Sequence, residues 1–211
     1  SQADYFQAVK GGGHGDYRML VYAPFNVQEL WDLTLLAFDK ADEYRTPVMV
    51  LSDGILGQMM EPFVPTPYVR PRLPEKTWAL GGCRNRQPNV IRSLYMAEGE
   101  LEHRNEILQA KYRAMKARDV RYQAYAVEDA ELIVVSFGIA ARIATAAVRM
   151  LRQEGRKIGH FRPLTLFPFP EQQLRELAGP RRRFMTVELN AGQMVEDVRL
   201  AVNGASEVLF Y

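Results

Sequence analysis

The apolar positions of this chain fall into short bursts, and the spacing within each burst predicts its conformation. "MLVYAP", Met19 to Pro24, is an apolar run of strand length closed by proline. Asn26 follows as a helix cap, with Glu29 three residues on in a capping-box arrangement. Val27, Leu30, Trp31, Thr34, Phe38 and Ala41 recur at helical spacing and predict one apolar face. Pro47 disfavours helix in the residue before it, so this helix ends near Tyr44. "PVMVLSD", Pro47 to Asp53, reads as a strand apolar on both faces, of the kind found in parallel sheets covered by helices.

From Glu61 the periodicity disappears. "EPFVPTPYVRPRLP" carries five prolines and can be neither a regular helix nor a central strand. It predicts an extended connector to about Arg92, with Phe63, Tyr68 and Trp78 as anchors packed on a neighbour. Helical spacing returns from Ala97 to about Asp119, with Leu101, Leu108, Tyr112 and Met115 as its stripe. "ELIVVSFG" then reads as a buried strand and "IAARIATAAVRMLRQEG" as a helix ended by Gly155. "IGHFRPLTLFPFP" is strand in part, "EQQLRELAG" a short helix and "RRFMTVEL" a strand. Asn190 is the expected cap of a helix ended by Gly204, and "EVLFY" is a last strand. Alternating strands and helices with short connections predict a parallel sheet with right-handed crossovers. The expected organisation is two small α/β units joined by a proline-rich strap.

Composition narrows the partners. Of 211 residues, 47% are apolar and 25% charged, as in ordinary globular proteins. A net charge of +2 is too small to point to nucleic acid, and the basic clusters at 70–72 and 181–183 read as solvated turns. One cysteine, Cys83, can form no disulfide within the chain and cannot alone hold an iron–sulfur cluster. That usage fits a reducing compartment, the cytoplasm. No apolar run approaches the ~20 residues of a membrane span. A start at Ser1 without methionine and a stop inside an apolar run lead us to expect a piece of a longer polypeptide.

The most chemically suggestive stretch is "GGGHGDYR", residues 11–18. It is a poor dinucleotide loop, because its glycines precede a strand instead of following one, and no Gly-Lys-Ser/Thr follows for a Walker loop. It is a poor metal site, because His103 and His160 stand in other elements. A polar turn at a pocket remains, against the alternative of a plain glycine turn in which Asp16 bonds backbone amides. Ser52, Asp53 and Gln58 follow a strand end, where ligands of open α/β sheets sit, or they make a turn. Ser136 and Gly138 begin a helix where an anion could bind, or Ser136 caps it. No Ser/His/Asp set is spaced as a nucleophile with its base.

Three stretches carry a family likeness. "QADYFQAVKGGGHGDYR" with "VYAPFNVQELWDLTLLAFDKADEYRTPVMVLSDGILGQMMEP" resembles the α subunit of 2-oxoacid:ferredoxin oxidoreductases, of the branched-chain (2-oxoisovalerate) or 2-oxoglutarate type. "ELIVVSFGIAARIATAAV" and "FRPLTLFPFP" resemble the transketolase-carboxyl-terminal-like domain of that subunit. The resemblance implies an α/β fold in which residues 1–61 are the carboxyl-terminal half of a pyrimidine-type thiamine-diphosphate-binding domain. Residues 62–125 would be the connector and long helix, and 126–211 a parallel transketolase-like domain. It implies thiamine diphosphate and Mg²⁺ shared with a β subunit, clusters on other subunits only, coenzyme A as acyl acceptor, and a γ subunit and ferredoxin as further partners. The family's Tyr-Pro-Ile-Thr-Pro loop and activating glutamate are not in this sequence, so no catalytic residue is expected here and the chain alone is expected to be inactive. Gly13, His14, Gly15, Asp16 and Gln58 would edge the substrate and thiamine pocket. Residues 11–13 supply no cation for a distal carboxylate, although Lys10 or Arg18 could, which leans toward a branched, uncharged 2-oxoacid. A β-type subunit of a lipoamide-linked dehydrogenase, or a non-catalytic assembly module, would share the fold.

Overall fold

The chain enters its first sheet through a short helix that the pattern does not announce, α1 (Tyr5–Val9). β1 (Leu20–Tyr22) and β2 (Val48–Val50) then run parallel, Val21 opposite Met49, and α2 (Val27–Tyr44) crosses between them. The computed structural model describes residues 2–211, Gly13 through its backbone alone, and Ser1 lies outside the described residues. Asn26 Oδ1 accepts the Glu29 amide at 2.7 Å and Glu29 Oε2 accepts the Phe25 amide at 3.1 Å. The cap forms where the sequence points, with the return bond one residue further out. α2 ends at Tyr44, and Arg45 turns the chain in the left-handed region at φ 46°.

The buried face of α2 is not the predicted one. Leu33 and Ala37 are buried with Tyr22 of β1, and Leu36 packs beside them. Trp31 and Phe38, placed inward by the helical spacing, are 42% and 72% exposed. Both sides of this helix carry apolar residues, and periodicity cannot tell the side that meets a sheet from the side that meets a strap. The strap explains the second side. From Met59 to Gly99 the chain forms no regular element, and its first part lies along the outside of α2. Val64 donates its amide to Gln28 (3.0 Å), Thr66 its hydroxyl to Asp32 (3.1 Å) and Tyr68 its phenol to Asp39 (2.6 Å). Arg70 forks onto Asp39 and Asp42, at 3.1 Å each. Phe63 packs edge-on against Trp31, ring centres 5.0 Å apart, and Arg45 stacks over Trp78 at 4.6 Å. The expected anchors are anchors, and their neighbour is α2.

α3 (Glu100–Arg118) leads into a second sheet of five strands. In spatial order these are β3 (Tyr122–Tyr125), β5 (Ile158–Pro163), β4 (Leu132–Ser136), β7 (Arg183–Val187) and β8 (Val208–Phe210). β4, β5, β7 and β8 are parallel, while β3 runs antiparallel on the β5 edge. The helices are α4 (Gly138–Gln153), α5 (Glu171–Leu177) and α6 (Met194–Val202). β6 (Thr165–Phe167) leaves this sheet and pairs antiparallel with β1, so the first sheet reads β2-β1-β6. The first sheet thus takes a strand from the second unit, a link between the two units besides the strap. The segment read as one partial strand is two, in different sheets. One continuous core runs through Val21, Met115, Val135, Phe161, Leu166 and Val198.

Buried polar bonds tie the sheets further. Arg162 of β5 is 1% exposed, reaches Glu29 with two bonds of 2.6 and 2.8 Å, and stacks 3.7 Å over the Phe25 ring. Glu61 accepts the Val27 amide at 2.9 Å and pairs with Arg142 of α4. The amide bond first, and Arg142 after it, hold its carboxyl below the usual carboxylate range.

Two helix caps come from further away than the sequence indicates. α6 starts at Met194, and Glu188 receives the amides of Gln193, Met194 and Val195 at 2.9–3.1 Å. Asn190, the expected cap, makes a turn bond to the Gly192 amide at 2.8 Å instead. Ser136 does not cap α4: the Asp53 carboxylate, from beyond the end of β2, accepts the Ile139 amide with Oδ2 at 2.7 Å. Gly138 stands at φ +55°, where a Cβ would collide with Asp53 Oδ2 and Gln2 Nε2. Among the described residues no helix is long and apolar enough to cross a membrane.

Candidate functional site

The glycine loop forms a 3-10 turn over Gly11–Gly13, followed by bends through Asp16. Gly11 sits at φ +64°, and a Cβ there would press on the Tyr17 carbonyl at 3.0 Å, so glycine permits the loop to double back. The His14 amide donates to the Gly11 carbonyl at 2.9 Å, and His14 Nδ1 lies 3.1 Å from the Gly12 carbonyl. The loop leaves toward β1 with the Arg18 amide donating to the Tyr112 phenol of α3 at 3.0 Å.

Its entry is held by α6. Asp197 accepts the Tyr5 phenol at 2.6 Å and the Lys10 ammonium at 2.5 Å. Gln193 accepts the Phe6 amide at 2.7 Å and donates to the Ala3 carbonyl at 2.9 Å. Burial first, and Asp197 after it, raise the Tyr5 phenol well above its ordinary pKa, so it stays a donor. These contacts leave an open cavity of about 810 Å³ between loop and helix, lined by Phe6, Gln7, Lys10, Gly12, His14, Tyr17 and Glu196.

Of the sequence-predicted edge residues, His14 lines this cavity. Gly13 lies in the turn beside it. Gly15 and Asp16 are exposed further along the loop, and no hydrogen bond to Asp16 forms among the described residues, which removes the expected amide turn. Gln58 is not brought there. It closes a 3-10 turn, Leu56–Gln58, past the carboxyl end of β2, whereas the loop enters the amino end of β1. Ser52 and Asp53 border a separate cavity of only about 30 Å³ with Gln2, Asp4 and Phe137. Sequence reading missed Glu196 and Asp197. Two acids open α6, as helix amino termini favour, but nothing local indicates that they face a loop 180 residues away.

The fold also makes one pair that spacing could not show. Ser136 Oγ stands 2.8 Å from His160 Nε2, and His160 Nδ1 stands 3.1 Å from Thr145 Oγ1. The Thr145 hydroxyl donates to the Ala141 carbonyl at 2.7 Å, so it accepts from Nδ1–H and leaves Nε2 to accept from Ser136. Burial, with Arg162 nearby, pushes the imidazole down to about 4. Ser136 and His160 are 0% and 4% exposed, so this neutral pair braces β4 against β5 and meets no substrate.

The fit to the implied groups is uneven. Phe6, Tyr17 and the loop form one wall wide enough for an organic ligand. No three His, Cys, Asp or Glu side chains among the described residues gather as metal ligands, so these residues make no cage for a diphosphate-bound Mg²⁺. The one cysteine, Cys83, is exposed and free.

A strand–helix–strand unit with its glycine loop at a large cavity, packed on a second parallel α/β unit, defines the class to which comparison with known proteins assigns this chain. Residues 1–124 match the family model "Pyruvate flavodoxin/ferredoxin oxidoreductase, thiamine diP-bdg", and residues 130–211 match "Pyruvate:ferredoxin oxidoreductase core domain II". The chain belongs to the 2-oxoacid:ferredoxin oxidoreductase family. It is 49% identical over 95% of its length to ketoisovalerate oxidoreductase subunit VorB of Methanothermobacter marburgensis, covering 57% of that protein. It is 34% identical over 99% of its length to 2-oxoglutarate synthase subunit KorA of the same organism, covering 62% of it. The chain thus spans about three-fifths of these curated relatives. In fold it matches a 2-oxoglutarate:ferredoxin oxidoreductase from Magnetococcus marinus, solved with 2-oxoglutarate, coenzyme A and succinyl-CoA bound. That match has a TM-score of 0.76 at 19% identity, over 99% of this chain and 41% of the other.

Proposed function

We propose that this chain is part of the α subunit of a thiamine-dependent enzyme that oxidatively decarboxylates a branched-chain 2-oxoacid to acyl-CoA and CO₂ while reducing ferredoxin. The chain-long likeness to the ketoisovalerate relatives carries the reading. In it, residues 1–61 are the carboxyl-terminal half of the pyrimidine-type unit, 62–125 the strap and long helix, and 126–211 the transketolase-like unit. When bound, thiamine diphosphate supplies the electron sink for decarboxylation. A β subunit provides the diphosphate and Mg²⁺ side, clusters lie on other subunits, and a γ subunit and ferredoxin complete the assembly. The single free cysteine supports a cytoplasmic setting.

This chain's own residues bind and exclude. Gly13, His14, Gly15 and Asp16 edge the pocket, while Gln58, at the opposite end of the strands, takes no part in it. Phe6 and Tyr17 offer it apolar surface, and its lysine is already paired. Arg18, the other candidate cation, donates its guanidinium to the Tyr17 carbonyl at 2.9 Å and does not line the cavity. A pocket so equipped favours an uncharged branched side chain over a distal carboxylate, whose unpaired burial is costly. The KorA likeness makes 2-oxoglutarate the second reading. The test is coenzyme-A-dependent viologen reduction by the assembled enzyme. We expect kcat/KM for 2-oxoisovalerate to exceed that for 2-oxoglutarate at least tenfold. A preference for 2-oxoglutarate overturns the substrate assignment, and turnover of neither overturns the activity.

A further inference from the structure

Among the described residues that line this pocket, the one lysine is engaged by the second unit. Lys10 is the only lysine or arginine among the described lining residues, and it directly precedes the glycine turn. Left alone, a flexible ammonium 43% exposed at the pocket wall would pair with any carboxylate that entered. It is not alone, because Asp197 Oδ1 holds it at 2.5 Å. We propose, resting on the function assigned above, that Asp197 is a specificity-determining residue that masks Lys10 and so excludes 2-oxoacids with a second carboxylate.

Three observations make Asp197 a fixed mask and not a passing surface contact. Its side chain is only 12% exposed. Its other oxygen receives the phenol of Tyr5, which is fully buried, so the carboxylate cannot swing away with the lysine. It also stands in the first turn of α6, where the helix dipole favours a negative charge. Glu196, the preceding residue, reaches the same cavity, and among the described residues it has no ion-pair partner. The wall therefore presents one compensated lysine and one bare carboxylate, a field that repels a dicarboxylate and ignores an alkyl chain.

Asp197→Asn removes the negative charge at nearly constant volume: its single oxygen can still accept from Lys10, while its NH2 faces the Tyr5 phenol oxygen, which can accept. In the assembled enzyme we expect the ratio of kcat/KM for 2-oxoglutarate to that for 2-oxoisovalerate to rise about tenfold. In Lys10→Met/Asp197→Asn the ratio should return to the wild-type value. A purely structural role would lower both substrates together. An unchanged ratio in Asp197→Asn, or a rise that persists without Lys10, overturns the inference while leaving the assigned activity intact. Where Asp197→Asn does not assemble, Lys10→Met alone decides. It bares Asp197, and the inhibition constant of 2-oxoglutarate against 2-oxoisovalerate should rise about fivefold; no change refutes the mask. Wild-type enzyme inert to both acids removes the assigned activity and this inference with it.

Discussion

Substituting Gly138 tests the joint between the sheets more sharply than any core truncation. At φ +55° an alanine pays the left-handed backbone cost of about 1–2 kcal/mol. Its Cβ also drives Asp53 Oδ2 off the Ile139 amide, a charge-assisted bond of about 1.5–3 kcal/mol. Gly138→Ala should therefore destabilise by about 4 kcal/mol. Asp53→Ala should cost about 2 kcal/mol, since the lost cap is partly offset by removing Oδ1, which is buried without a partner. In the double variant the Cβ meets no carboxylate, the Gln2 amide at the end of its flexible side chain shifts aside, and with the backbone cost added the total stays near 3.5 kcal/mol. The cycle then carries a coupling of about 2.5 kcal/mol. Urea unfolding of the full chain, followed by tryptophan fluorescence and far-ultraviolet circular dichroism, measures the four corners, and hydrogen exchange at Ile139 reports the cap directly. Costs that add to within about 0.5 kcal/mol would refute the argument, because sites without a shared partner add.

Two further outcomes follow from buried charge. His160 is neutral in the folded chain with its pKa pushed from 6.5 to about 4. Unfolding therefore takes up a proton below pH 6.5, so its stabilising share is complete above that pH and is lost as pH falls to about 4. We expect a loss of about 3 kcal/mol across this window, largely abolished in His160→Gln; identical pH profiles for the two proteins would contradict the assignment. Arg162→Met strands the Glu29 carboxylate and should cost about 3–5 kcal/mol in denaturant titrations. Adding Glu29→Gln should recover part of that cost, and no recovery would mean that Arg162 stabilises through its stack on Phe25 alone.

Most elements of this fold can be read from local pattern. Asn26 with Glu29, the apolar runs at 19–24 and 47–53, and Gly155 and Gly204 as stops each act within a turn or two of their own position. What escapes is set by distant partners. Trp31 and Phe38 obey helical spacing as well as Leu33 and Ala37 do, and only the presence of β1 on one side and the strap on the other separates them. Asp53, delivered from beyond β2, caps the helix that Ser136 adjoins, and Glu188, two residues before Asn190 in the same loop, takes three amides of α6 where Asn190 spends its oxygen on a turn. At the candidate site the loop is conspicuous by its glycines, but the acids that set its charge lie on α6 and have no local signature. Gln58 belongs to the same strand–helix–strand unit as the loop, and the strands between them set it at their far end.

β6 gives the chain a property that neither half has alone. The family models meet between residues 124 and 130, and a gene could be divided there. The first sheet would then lose the strand that covers one edge of β1 and expose that edge's unpaired backbone groups. During synthesis, β1 must wait until residue 167 has left the ribosome before its second neighbour exists. A cut at that boundary would thus part β1 from β6, so the divide between the family models is not a divide in the sheet.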